Sequence, residues 1–292
     1  MRRQKLDDVA VSLVSYGIMI LFAVACVFPF IYVTTYSLTP YSEYLAHPMR
    51  LIPVKLDISA YMKVFEIKLI YSGYYVTLFV TIAGTAINVF LLLISAYPLS
   101  KRDLKGRNII LALIVFTMFF SGGMIPKFYI VRAMGLFNSP WSLIIPNAIS
   151  AFNLILMKSF IEAIPESLEE SAVIDGANEI VVLLRIILPL SMPAIATFTI
   201  FHAVGHWNEY FDAIIYITKR RIWPLMLVLR ELVIEQELDV GRSAELATSE
   251  NSANPFTMKM AAIIITTLPI IVVYPFMQKY FMKGILLGSI KG

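Results

Sequence analysis

The sequence predicts an all-α polytopic membrane protein with six transmembrane helices. Three observations predict it. The first is composition: of 292 residues, 59% are hydrophobic and only 15% charged, with a mean hydropathy of +0.77, whereas soluble domains carry about 25% charged residues. The second is the recurrence of apolar runs of roughly 20 residues, the length that crosses a bilayer as a helix. The third is the lack of the apolar–polar alternation that marks barrel strands.

The spans follow in order. The first covers Val11–Ser37, with a kink or interruption expected at Pro29. The second covers residues 74–99 and carries Asn88 in its middle. The third covers 109–131, loosened at its far end by Ser121, Gly122, Gly123 and Pro126. The fourth covers 141–160 and contains Pro146, Asn147 and Asn153. The fifth runs from Pro193 to about residue 217, and the sixth covers 260–282 with Pro269 and Pro275 inside it. Neither a repeat nor a low-complexity segment occurs.

The remaining composition excludes several classes. A net charge of +4 without a dense basic cluster excludes a nucleic-acid binder and fits anchoring at lipid headgroups. The single cysteine, Cys26, can form no intrachain disulfide. The basic N-terminus precedes a full-length span without a small-residue cleavage site, so it reads as a retained first helix. No G-x-x-x-x-G-K-[ST] occurs, so any ATP and magnesium would belong to another subunit, and this chain is expected to bind no cofactor. Lys and Arg crowd three short stretches: Arg2, Arg3 and Lys5; Lys101, Arg102, Lys105 and Arg107; Lys279, Lys283 and Lys291. Their density places both termini in the cytoplasm. Residues 1–10 then form a cytoplasmic N-terminal segment and 11–292 the transmembrane domain, with outer loops at 39–73 and 218–257.

The most polar patterned stretch between the spans is 169–193, EESAVIDGANEIVVLLRIILPLSMP. Early acidic residues, small residues and a central Gly176 predict a short helix, a turn and a second short helix. Glu170 and Asp175 are expected to cap helix N-termini. Glu170-Ser171-Ala172, Asp175-Gly176-Ala177 and Leu188-Pro189-Leu190 closely resemble the EAA loop of bacterial ABC importer permeases, with Ser171 where the family usually has Ala. NAISAFNLILMKSF, HWNEYFDAIIYI and YPFMQKYFMKGILLGSIKG extend the resemblance to the MalG-type carbohydrate permeases, and more narrowly to the LplC/YtcP-like branch.

The resemblance implies the MetI-like type I importer fold and a coupling loop at 166–190. In that loop Glu170, Ser171, Ala172, Asp175, Gly176 and Ala177 would dock on an ATPase subunit dimer. It also implies a MalF-like second permease, an extracytoplasmic solute-binding protein and an oligosaccharide substrate, some family members carrying uronic acids such as alginate or pectin fragments. The alternatives are an ion-coupled secondary transporter, which would need mid-membrane charges and inverted repeats, and a membrane-embedded hydrolase, which would need a nucleophile–base or metal constellation.

Span five offers the candidate substrate path. His202, His206, Glu209 and Asp212 stand at helical spacing on one expected face. HAVGH lacks the Glu of H-E-x-x-H, so no metal is expected there. His206, Trp207 and Asn208, with Asn147 and Asn153, carry two readings: a path for sugar, or helix–helix hydrogen bonds. Lys219, Arg220 and Arg221 carry two as well, attraction of an anionic partner or lipid anchoring. The apolar run 224–236 reads as interfacial, or as packed beneath the binding protein.

Overall fold

The computed structural model describes residues 2–234 and 254–289. Among them every long element is a helix, as predicted. Of the polar stretch 235–254, to which the sequence assigns no function, residues 235–253 lie outside the described residues. The chain divides into two compact units, Met1–Lys68 with Leu229–Leu268 and Leu69–Val228 with Pro269–Gly292.

In the first unit, α1 (Arg2–Ser37) runs through Pro29 without a break. Of the two expectations at Pro29, the interruption does not occur, since helices in lipid tolerate proline when the freed backbone groups are re-satisfied locally. Beyond its end the chain folds back as α2 (Tyr41–Ala46) and α3 (Ser59–Glu66). Thr35 Oγ1 donates to the Leu51 carbonyl at 2.7 Å, and Ser37 Oγ meets Tyr61 OH at 2.7 Å. Tyr44 stacks on Phe256 at 4.3 Å and meets Tyr36 edge-on at 4.9 Å. Glu43 braces the loop by accepting from the backbone N–H of Val54 (2.8 Å) and Lys55 (3.2 Å).

The second unit is built on α4 (Lys68–Ser100), which begins six residues before the predicted span and shortens the expected 39–73 loop. Its N-terminal half packs Val76 and Val80 with Leu143, Ile144, Ala213 and Tyr216. Its C-terminal half packs Leu92, Leu93 and Ala96 with Leu154, Met157, Val182 and Phe198. Two glycines let neighbours close in on it. A Cβ on Gly73 would sit 3.2 Å from Leu225 Cα, and one on Gly84 only 2.5 Å from His206 Nε2. Leu225 and Val228 are thus buried against α4, so the start of the 224–236 run packs into the unit instead of lying in the interface.

The next three predicted spans are broken. α5 (Arg107–Phe119) and α6 (Met124–Ala133) meet at 115°, where Gly123 takes φ +82°. The stretch Pro140–Asn147 meets α7 (Ala151–Glu162) at 53°, with Ser150 accepting from the Asn153 N–H to start α7. Next come α8 (Glu166–Ile174) and α9 (Glu179–Leu190), the latter widened by a π turn at Leu183–Ile187. α9 meets α10 (Met192–Trp207) at 76°. At 1.5 Å per residue α10 is about 24 Å long, short of the roughly 30 Å hydrocarbon core, so span five needs the apolar end of α9. α11 (Phe211–Tyr216), α12 (225–234) and α13 (Pro255–Ser289) complete the described chain. Among the described residues three helices are long and apolar enough to cross a membrane alone, and there are up to six spans if each bent pair is one.

Candidate functional site

The 166–190 segment forms the predicted helix, turn and helix. Gly176 sits at the turn with φ +85°, a conformation that glycine adopts without steric cost. The turn closes α8 by N–H donation from Ala177 to the Ala172 carbonyl (2.9 Å) and from Gly176 to that of Val173 (3.0 Å). The capping expectation is corrected. Asp175 ends α8, Glu170 lies within it, and the side chain that caps α9 is Asn178, whose Oδ1 accepts from the Val181 N–H at 2.9 Å. Glu166 and Glu169 occupy the first turn of α8, where carboxylates offset the helix dipole.

The loop has two faces. Ala172 and Ala177 turn inward and pack on the core of the second unit. Glu169 pairs with Lys101, and Tyr97 OH donates to Glu179 Oε2 at 2.6 Å. Glu170, Ser171, Asp175 and Gly176 face outward. Ser171 donates its hydroxyl to the Ser167 carbonyl at 2.8 Å, so outward it is little larger than alanine. Beside them Leu168, Val173, Ile174 and Ile180 are exposed, Ile174 by 85%. Sequence reasoning passed over these four because apolar residues in an apolar chain carry no signal until their face is known. Acidic and apolar side chains thus share one exposed surface, and exposed apolar patches of this kind are what interaction sites carry.

A second constellation lies inside the unit. Asn88 Nδ2 donates to the carbonyls of Asn147 (2.9 Å) and Ala148 (3.0 Å), and its Oδ1 accepts from His206 Nε2 at 2.9 Å. Asn147 in turn accepts from Lys127 Nζ at Oδ1 (2.9 Å) and donates through Nδ2 to Asp212 Oδ2 (2.6 Å), while Lys127 Nζ and Asp212 Oδ2 stand 3.6 Å apart. Asn153 Nδ2 reaches His202 Nε2 at 3.4 Å. Asn88 is 20 residues from Lys68 and 12 from Ser100, roughly 30 and 18 Å along α4. The cluster therefore sits well inside the length of the helix, with Asn147 exposed and Lys127 half-exposed.

Other candidates go elsewhere. Trp207 is buried with its ring edge-on to Tyr74 at 6.3 Å, and Asn208 Nδ2 bonds the Val204 carbonyl. The expected common face of His202, His206, Glu209 and Asp212 does not form, because α10 ends at Trp207. Among the described residues no three His, Cys, Asp or Glu side chains converge as metal ligands would. Lys127, missed in the sequence, is an isolated cation in an apolar run whose partner stands 85 residues away.

Residues 8–286 match the family described as "Binding-protein-dependent transport system inner membrane component". The chain belongs to that family. The permease is 47% identical to the polygalacturonan/rhamnogalacturonan transport system permease protein YtcP of Bacillus subtilis, over 95% of this chain and 96% of the relative. It is 45% identical to protein LplC of Bacillus subtilis, over 91% and 90%. Among solved structures it resembles a chain of a bacterial ABC transporter involved in the import of the acidic polysaccharide alginate, with a TM-score of 0.85 and 33% identity over 94% of this chain and 98% of that one. The permease is thus a membrane-embedded transport subunit without an ATPase site of its own, and the ion-coupled and hydrolase readings lose their ground.

Proposed function

We propose that the permease is one half of a heteromeric pair that moves acidic oligosaccharides into the cell, with ATP and magnesium acting on a separate ATPase dimer. The observation that carries this is the outward face of α8 and the turn after it, an exposed acidic-and-apolar surface held on a rigid inner face. It receives the ATPase through Glu170, Ser171, Asp175 and Gly176, with Leu168, Val173 and Ile174 supplying apolar contact. Ala172 and Ala177 set the loop on the bundle. The loop and both termini face the cytoplasm. In support, Lys101 and Arg107 of the densest basic link lie at the loop's end of the unit, meeting Glu169 and Glu162. Outer segments 39–67 and 218–223 face the solute-binding protein and the lipid headgroups, and a MalF-like second permease completes the path.

Substrate class rests on the relatives, whose polygalacturonan and alginate are uronic-acid polymers. Sugar passes the cluster of Asn147, His206 and Asn153 extended by Lys127 and Asp212. Ionisable groups at such depth face a cavity or a partner, not lipid. Trp207 and Asn208 border that path.

Gly176→Asp and Glu170→Lys test the reading. Aspartate is among the residues that best tolerate positive φ, so the first variant alters charge and bulk more than backbone. Both variants should insert and pair with the second permease. Both should lose the ATPase on purification, or keep it with hydrolysis that no longer responds to loaded binding protein in liposomes. Normal retention, stimulation and uptake in both would overturn the coupling role.

A further inference from the structure

We propose that Lys101 and Tyr97, at the end of α4, are positioning residues that clasp the coupling loop to the span it moves, with Glu169 and Glu179 as their counterparts. The proposal rests on the reading of 166–190 as the ATPase-docking loop.

The clasp joins three elements. Lys101 Nζ pairs with Glu169 of α8 and lies 3.9 Å from Glu179 Oε2, on the first residue of α9. Tyr97 OH donates to the same carboxylate oxygen at 2.6 Å, and the ammonium stands 4.8 Å from the centre of the Tyr97 ring. One cation therefore meets a glutamate on each side of the Gly176 turn and rests on an aromatic face of the helix that it directly follows. The Glu169 side chain is 13% exposed and that of Lys101 28%. Partial burial leaves the Lys101–Glu169 pair less screened than open surface would, whereas the Glu179 side chain is 71% exposed and is held chiefly by the Tyr97 hydroxyl.

The reason for a clasp lies in what surrounds the loop. Between α8 and α9 the chain turns at a glycine, within α9 it passes a π turn, and between α9 and α10 it bends by 76°. Each joint can absorb a displacement instead of passing it on. An ion pair spanning both loop helices closes the first joint and ties the pair to α4, so the loop travels as one body with that helix. The clasp uses the inward face, leaving Glu170, Ser171 and Ile174 free for the partner. Docking and transmission are thereby separate duties of opposite faces.

The experiment uses the assembled importer in liposomes and reads ATP hydrolysed per oligosaccharide taken up, together with ATPase co-purification. Lys101→Met should keep the ATPase bound and hydrolysing while the ATP-to-sugar ratio rises roughly 5- to 10-fold, the lower range of ordinary coupling between sites. Tyr97→Phe, which deletes only a hydroxyl, should move the ratio the same way by less. Lys101→Arg should restore it, and Lys105→Met controls for net charge. An unchanged ratio in both Lys101→Met and Tyr97→Phe, with Gly176→Asp uncoupled, would overturn the clasp and leave the docking loop standing. Loss of ATPase binding in Lys101→Met with Tyr97→Phe normal would also overturn it, since the pair would then shape the docking face. Normal behaviour of Gly176→Asp and Glu170→Lys would remove the docking loop itself.

Discussion

At the scale of single residues, Gly84 and Asn88 decide how α4 receives α10. Asn88 is 2% exposed and meets three groups, two of them carbonyls at the break before α7. Gly84, one turn away, leaves room for the His206 ring. Gly84→Ala would force that ring off Asn88, and overpacking of this kind costs about 1–3 kcal/mol. The expected result is a lowered Tm of the detergent-purified complex. Gly205→Ala is the comparison. It lies beside His206 in sequence, but its Cβ would meet nothing within 4 Å, so it should be neutral or gain up to about 1 kcal/mol from helix propensity. An equal loss in both variants would refute the crowding argument. The sequence showed Asn88 as a polar residue in a span, but not its partner, because 118 residues separate it from His206.

At the scale of elements, the helix–turn–helix of the coupling loop was legible because acidic residues, small residues and glycine each have a local physical meaning. The loosening at Gly122-Gly123 was legible for the same reason, but not the 115° bend that it becomes. Pro29 gave no break, since lipid-embedded helices can carry proline inside them, and the early start of α4 was hidden by the polar Lys68 and Ser72 at its head. The order of the 39–67 segment was also hidden, because it hangs on Glu43. The Val54 N–H, with that of Lys55 and the Arg50 guanidinium, holds the Glu43 carboxyl below the usual carboxylate range. A carboxylate depressed by folding contributes bracing that is full above its unfolded pKa. That bracing is lost as pH falls through the depressed folded value. Hydrogen-exchange protection at Val54 and Lys55 should therefore hold at neutral pH and drop below the usual carboxylate range, while Glu43→Gln should flatten that dependence. Protection that ignores pH in the unaltered chain would refute the brace.

At the scale of the whole molecule, the Lys127–Asp212 pair should separate stability from transport. Removing one partner of a buried pair costs about 3–5 kcal/mol, and less here because the Lys127 side chain is 38% exposed. Lys127→Met alone should lower the Tm of the assembled importer, and the double change with Asp212→Asn should recover most of it. KM for a uronic oligosaccharide should nonetheless rise in the double variant, because the groups proposed to face the sugar are gone. An unchanged KM would make the pair structural only. The bond from Asn88 to the Asn147 and Ala148 carbonyls spans 59 and 60 residues of sequence, which also bears on biosynthesis. Ribosomes add roughly 5–20 residues per second, so a newly made α4 waits about 3–12 s for the carbonyls that its amide needs. Released sideways into lipid during that interval, it would carry an unbonded polar group through hydrocarbon. The bond is therefore a late one in biosynthesis: it can close only once the stretch before α7 has been made and has reached α4.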